Sequence, residues 1–419
     1  MITRKYLVIY YKISLFIILT LVNYLISIEI IWNGPTEQCQ RNSTNKINYG
    51  SYGISTNNDC QFRGEKIVVL YERDIGRYPY IKMDNESQYE EHNNGLPQKV
   101  NMSEHLKQLE KKIEEIIPDK NFSGLGVIDI EEWRPTYDSN WSSKRVYRNE
   151  SIKIVLARNS TLNSTEAEKL AIKEFNKAAA DFFIETIKKC KELRPNAKWG
   201  FYGFPTCNEN AENRGWNFCF PNISNQIIPI LNHTDVLYPS PYIVPGQNYS
   251  IKDKFVNAVL DETQRIVEEI IKIGGNKKKI YMYNKIEVDQ QNVNYENIEF
   301  YDPYYLCIVY NRAIDYNIDG VIVWTTSQNM SKRCQYIKKY VDNVFGPYIQ
   351  SMNLFHPFFI NTPFLNFINK FLLRKDSLKI DCSKLLTNDN IQDWCKTNFY
   401  GPNCMASKLN SSGLDHQKY

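Results

Sequence analysis

The stretch "GLGVIDIEEW" (residues 124–133) sets three carboxylates, Asp129, Glu131 and Glu132, into an otherwise apolar run. A run of this kind predicts a buried strand. Buried carboxylates are costly to leave unpaired, so a strand that keeps several has a use for them. Alternate strand residues share a face, which places Val127, Asp129, Glu131 and Trp133 on one side and Ile128, Ile130 and Glu132 on the other. The two isoleucines suit a helix-covered face, leaving Asp129 and Glu131 pointing inward. Glu132, at the strand's end on the outer face, is expected to reach water.

Working outward, similar apolar runs occur at 66–72, 198–204, 235–243, 279–285 and 320–327. Helical patterns lie between them. One starts at a Ser103 cap and carries Leu106, Leu109, Ile113 and Ile116 on one stripe. Another, over 165–193, opens with the capping box Thr165-x-x-Glu168 and repeats Leu170, Phe175, Ala178 and Phe182. A third, over 251–273, shows Phe255, Val259, Ile266 and Ile270, and two more are expected over 301–316 and 331–345. Repeated strand–helix alternation means an α/β fold with a parallel sheet and helices outside. Strands ending in Tyr, Trp, Asp and Glu favour a closed, TIM-like (β/α) barrel whose C-terminal rim carries the site. An open doubly wound sheet is the alternative, but no Gly-rich phosphate loop follows the first strand. The pattern changes after Gly346-Pro347, so residues 351–419, with Cys382, Cys395 and Cys404, read as a short C-terminal extension.

The 419 residues carry 51 basic and 47 acidic side chains, a formal +4, which gives no reason to expect a nucleic-acid partner. The run Lys277-Lys278-Lys279 reads as a solvated loop. At the N-terminus, Arg4 and Lys5 precede "YLVIYYKISLFIILTLVNYLIS", which reads as a signal peptide over 1–27, with an uncleaved anchor as the alternative. Ten cysteines and thirteen Asn-x-Ser/Thr sequons agree with a secreted chain. The sequons are Asn42, Asn85, Asn101, Asn121, Asn140, Asn149, Asn159, Asn163, Asn222, Asn232, Asn248, Asn329 and Asn410. Five histidines, none at ligand spacing with a cysteine, argue against a metal site. A monomer without a cofactor is expected.

Residues spaced like Asp129 and Glu131 on one strand have Cα atoms about 6.6 Å apart, two strand rises. Two carboxyls this close cannot both ionise freely in a low-dielectric pocket, so one is held protonated, as a general acid requires. The usual glycosidase pair flanks the sugar from opposite sides, whereas strand neighbours approach from one side. A glycosidase built this way needs its nucleophile from elsewhere, and the substrate itself is a candidate. The competing reading is structural: both carboxylates pair with basic groups, Arg134 being the nearest in sequence. The residues alone leave the two readings open.

"GVIDIEEWRP", followed by Asn140-Trp141, resembles the signature of the hyaluronidase family of glycoside hydrolases. Also in matching order are "IWNGPTEQC" (31–39), "FRGEKIVVLYERDIGRYPY" (62–80), "NNGLPQ" (93–98), "IPDKNFSGLGVID" (117–129), "KWGFYGFPTC" (198–207), "VLYPSPY" (236–242) and "DGVIVWTTS" (319–327). The resemblance implies a distorted parallel (β/α) barrel over 28–350 that cleaves β-1,4 bonds after N-acetylglucosamine in hyaluronan; chondroitin is a second substrate to test. It also implies a retaining mechanism in which the substrate's acetamido oxygen is the nucleophile. By position, Glu131 matches the acid/base and Asp129 the partner that shares its proton and orients the acetamide. Tyr202 and Tyr242 match tyrosines that hold the acetamido group, Trp324 the wall of that pocket, and Tyr71 and Arg134 cleft residues. Disulfides Cys39–Cys334 and Cys207–Cys219 are implied, while the other six cysteines stay unassigned. "CKTNFYGPNC" is similar only to the last loop of the EGF-like module of larger members. Ile130 stands where the family usually has an aromatic, an outward packing position. Asp74 stands where many members carry an amide or neutral residue, and its charge would disfavour a polyanionic chain. That leaves a second expectation, a non-hydrolytic glycosaminoglycan-binding or adhesion protein on the same scaffold.

Overall fold

Of the run at 124–133, only Leu125–Ile128 pairs as a strand in the computed structural model, which describes residues 28–83, 89–244, 248–288, 298–355 and Cys382. The leader at 1–27, most of the 351–419 extension with Cys395 and Cys404, and sequons Asn85 and Asn410 lie outside the described residues. The described strands are β1 (Glu29–Trp32), β2 (Ile54–Thr56), β3 (Ile67–Leu70), β4 (Tyr80–Met83), β5 (Tyr89–His92), β6 (Leu125–Ile128), β7 (Lys198–Phe201), β8 (Val236–Leu237), β9 (Lys279–Asn284) and β10 (Gly320–Val323). They fall into two units, the first comprising residues 1–56, 243–245 and 284–419, the second 57–242 and 246–283.

In the second unit β6 lies between β3 and β7, all parallel, with Val127 opposite both Val69 and Gly200. The residues after β7 and β8 continue this order through a parallel bridge from Tyr202 to Tyr238, and β8 pairs in parallel with β9. β3 and β6 are buried along their whole length, as strands covered on both faces must be. Gly126 is required within β6 because the Trp199 indole occupies the space a Cβ would take. In the first unit β1 pairs in parallel with β2 and β10, Ile30 facing Ile54 and Val321. An antiparallel hairpin, β4–β5, also forms, with Tyr80 stacked on His92 at 4.4 Å.

Several sequence expectations shift on inspection. The Met102–Ile116 helix is capped by Asn101, whose side chain accepts from Glu104 N, rather than by Ser103. The Ser164–Leu193 helix starts at a capping box of Asn163 and Glu166, not Thr165 and Glu168. In both, an asparagine two residues upstream reaches the free N–H groups first. Leu170 is exposed; the buried stripe runs through Ala167, Ala171, Phe175, Ala179 and Phe182. The helical path through Met330–Tyr340 does not stop at Gly346-Pro347 but continues into Gly346–Phe355. Lys278 is buried, not solvated, donating to the Asn232 and Thr234 carbonyls (2.7 and 2.8 Å). Disulfides join Cys39 to Cys334, Cys207 to Cys219 and Cys307 to Cys382.

Asn140 must be withdrawn as a glycan acceptor. It is 0% exposed, and its Nδ2 donates to the Arg134 and Thr136 carbonyls. Asn232 is half-buried, and the remaining described sequons are exposed.

Buried His105 joins the Met102–Ile116 helix to two neighbouring segments. Arg77 N–H donates to His105 Nδ1 (3.1 Å), so the neutral ring carries its proton on Nε2, which faces Thr186 Oγ1 at 2.9 Å. Thr186 Oγ1 in turn donates to Phe182 O. Burial pushes the His105 pKa down to about 4 from its ordinary 6.5. The unfolded chain therefore takes up this proton at a higher pH than the folded one. Stability is full above about pH 6.5 and drains as pH falls towards 4, by up to about 3 kcal/mol. Urea midpoints measured across that window are expected to fall steeply for the natural protein and less steeply for His105→Asn.

Candidate active site

Because β3, β6, β7, β8 and β9 run in parallel, the residues that follow them gather along one edge. Tyr71 and Glu72 follow β3, and Asp129 to Arg134 follow β6. Tyr202 follows β7, Tyr242 lies five residues beyond β8, and Tyr283 sits near the end of β9. The β3–β6 ladder extends one residue past the strand, Asp129 N donating to Leu70 O at 2.9 Å. There it stops. Glu131 N donates instead to the Glu72 carboxylate (3.1 Å), so Asp129 and Glu131 are not alternate residues on one regular strand, as the sequence predicts. The chain turns away after Asp129 because Ile130 packs into the core and Glu131 opens to solvent.

The electrostatics are those of an acid pair. Burial raises the Asp129 pKa well above the usual carboxylate range, and the nearby Glu131 and Glu72 carboxylates raise it further. Glu131 is raised as well, by burial and by Glu72, against the opposing charges of Lys144 and Arg134. Glu131 keeps an open surface although protein crowds its other sides, so its shift is the smaller of the two. Both carboxyls therefore hold their protons to higher pH than isolated carboxylates do. Asp129 Oδ1 is buried without a hydrogen-bond partner among the described residues, and so is the Tyr283 hydroxyl. Leaving a buried acceptor unmatched costs about 1–3 kcal/mol.

Four tyrosines lie around this pair. Tyr202 is held at high pKa by burial and by the Glu131 and Asp129 carboxylates, so its hydroxyl stays a donor. It hydrogen-bonds to Tyr242 and to Ser240. Tyr283 meets Tyr202 edge-on at 5.1 Å and feels both Asp129 and Tyr71. Tyr71 stacks on Phe62 at 5.9 Å. Arg134 lies near Glu131 but is anchored elsewhere: its Nη1 donates to Ser139 O (2.8 Å) and its guanidinium covers the Trp141 ring at 4.6 Å. Glu132 is half-buried and faces Lys82 at 3.9 Å. Trp324 belongs to the first unit, just beyond β10, where its N–H donates to Asn284 O (2.8 Å).

Asp74 does not present the charge that the sequence suggests. It is 6% exposed, its carboxylate pairs with Arg63 at 2.5 Å and accepts from Tyr71 N at 3.1 Å. The carboxylate that sequence reading overlooks is Glu72, together with Lys144 and Tyr283. The signal was present in "LYERD", where an acidic residue beside Tyr71 follows β3, just as Asp129 follows β6.

The hyaluronidase family profile matches residues 23–355. The chain is 36% identical over 328 residues to a chondroitin hydrolase of Caenorhabditis elegans, covering 77% of this chain and 69% of that protein. It is 33% identical to Hyaluronidase Tab y 2.0101 of Tabanus yao, covering 77% and 92% of the two chains. Among solved structures, bee venom hyaluronidase in complex with a hyaluronic acid tetramer superposes with a TM-score of 0.71 at 28% identity, over 77% of this chain and 99% of that one. These matches and the parallel strands define the class, a glycoside hydrolase built as a distorted parallel (β/α) barrel. The chain belongs to the hyaluronidase family.

Proposed function

We propose that the protein is a secreted endo-β-N-acetylhexosaminidase that hydrolyses the β-1,4 bond after N-acetylglucosamine in hyaluronan, with retention. The observation that carries this reading is a buried Asp129 oxygen that has no partner among the described residues, beside two carboxyls whose pKa values are both raised. A substrate N–H placed on that oxygen would satisfy it, and an acetamido group supplies one. Glu131 gives its proton to the departing glycosidic oxygen while the acetamido carbonyl oxygen attacks the anomeric carbon, closing an oxazoline-like ring. Glu131, now a carboxylate, takes a proton from water, whose oxygen opens that ring at the same carbon.

Asp129 orients the acetamide and keeps the acid proton within the pair. The Tyr202 and Tyr242 hydroxyls hold and polarise the acetamido group, and Tyr71 and Arg134 line the cleft. Trp324 is assigned to the pocket wall on the resemblance alone. No cofactor is needed, since acid, base and nucleophile all come from two side chains and the substrate. The apolar leader and the three disulfides support secretion, and the protein acts as a monomer. The nematode relative named chondroitin hydrolase favours chondroitin as a second substrate.

Incubating the purified protein with hyaluronan and, separately, chondroitin at acidic and neutral pH tests the proposal. Progressive chain shortening is expected. Binding without shortening would favour the non-hydrolytic alternative, which Asp74 no longer supports because Arg63 neutralises it.

A further inference from the structure

Glu131 sits past the end of β6, where no strand ladder holds its backbone. Two charged side chains from other segments hold it instead. Its N–H donates to Glu72 Oε1 at 3.1 Å, Glu72 coming from the turn after β3. Its carbonyl accepts from Lys144 Nζ, which also reaches Glu132 O at 3.0 Å from the turn before the Arg145–Arg158 helix. Neutral groups could satisfy a peptide N–H and C=O equally well, so the use of opposite charges at the two ends calls for a second explanation.

We propose that Glu72 and Lys144 are paired positioning residues that clamp the main chain of Glu131 and set, with opposite sign, the pH at which its carboxyl releases its proton. The proposal rests on the acid/base role given above to Glu131. The charged and titratable groups facing Glu131 are Asp129, Glu132 and Arg134 on its own segment, Glu72 after β3, Lys144 before the Arg145–Arg158 helix, and Tyr202 after β7. Among the groups from other segments, Glu72 favours the protonated acid and Lys144 the carboxylate. Arg134 acts in the same sense as Lys144 but is committed to Ser139 O and the Trp141 ring. Glu72 also favours the protonated form of Asp129, so its charge acts on the whole pair. Lys144 in turn is loosened by burial and by Arg134, and retained by Glu131, Glu132 and Glu72.

The two charges make opposite predictions, which a merely structural clamp does not. Glu72→Gln keeps an oxygen for the Glu131 N–H but removes the negative charge. The alkaline limb of its kcat/KM profile on hyaluronan is expected to move to lower pH by roughly half a unit to one unit. Lys144→Gln is expected to move that limb to higher pH by a similar amount, and Glu72→Asp to restore it towards the natural position. Limbs that stay in place, or that move in the same direction in both variants, overturn the proposal. NMR titration of isotope-labelled glutamate carboxyls, with the Glu131 signal assigned by its loss in Glu131→Gln, reads the same shifts without substrate. A natural protein that cleaves neither hyaluronan nor chondroitin would therefore end the acid/base reading while leaving the clamp testable by itself.

Discussion

Glu131→Gln is expected to leave a folded protein that no longer shortens hyaluronan. The segment is held through the Glu131 N–H and C=O, by Glu72 and Lys144, and neither contact uses the side chain that changes. Glutamine is nearly isosteric, so Tyr202, Tyr242 and Asp129 keep their places. It can neither hand a proton to the leaving oxygen nor take one from water, and the proposed cycle needs both. General acid–base catalysis contributes on the order of 10²- to 10⁴-fold, and losing both halves at one residue puts the expected fall in kcat near the upper end. KM should change little, because the groups that grip the acetamido sugar remain. The variant also removes one acid from a crowded cluster, so its thermal midpoint should equal or exceed that of the natural protein. Retained activity in a folded Glu131→Gln protein would remove Glu131 from the chemistry.

The second large effect lies in the first unit and concerns stability. Arg333 is 0% exposed and Glu287 1% exposed; Arg333 Nη2 meets Glu287 Oε1 and also donates to Thr325 Oγ1 (2.6 Å). Thr325 Oγ1 donates to the other Glu287 oxygen (2.9 Å), and Arg333 Nη1 reaches the Thr326 carbonyl (2.7 Å). A buried pair of this kind contributes little net stability compared with an apolar replacement, but removing one partner strands the other charge. Arg333→Met is expected to cost about 3–5 kcal/mol, read as a lower urea midpoint. Adding Glu287→Gln in the same chain should recover part of that loss. Equal loss in the single and double variants would mean that packing around Arg333, rather than charge, dominates.

The sequence made the parallel strands legible because a strand covered on both faces must be apolar throughout, and β3, β6 and β10 have no other way to be written. Their ends were less legible. The "DIEEW" continuation of β6 keeps strand-like alternation, yet Glu131 leaves the ladder for a side-chain acceptor 59 residues away in sequence. Alternation cannot report where a backbone N–H finds a carboxylate instead of a carbonyl. The same blind spot hid Glu72, which reads as an ordinary surface acid until the fold brings it against Glu131. Asp74 erred in the other direction, since its partner Arg63 lies 11 residues back, before β3. The antiparallel β4–β5 hairpin escaped notice because its charged outer positions, Glu90 and Glu91, carry no apolar signal.

The bridge between Cys39 and Cys334 spans 295 positions, and the chain leaves the first unit after residue 56 and returns for good at 284. Every residue of the second unit, including the whole acid cluster, therefore lies within one covalent ring. A protease that cuts an exposed turn there opens the ring without releasing a fragment. Damage of that sort in a protease-rich fluid would leave the molecule in one piece until a reductant arrives.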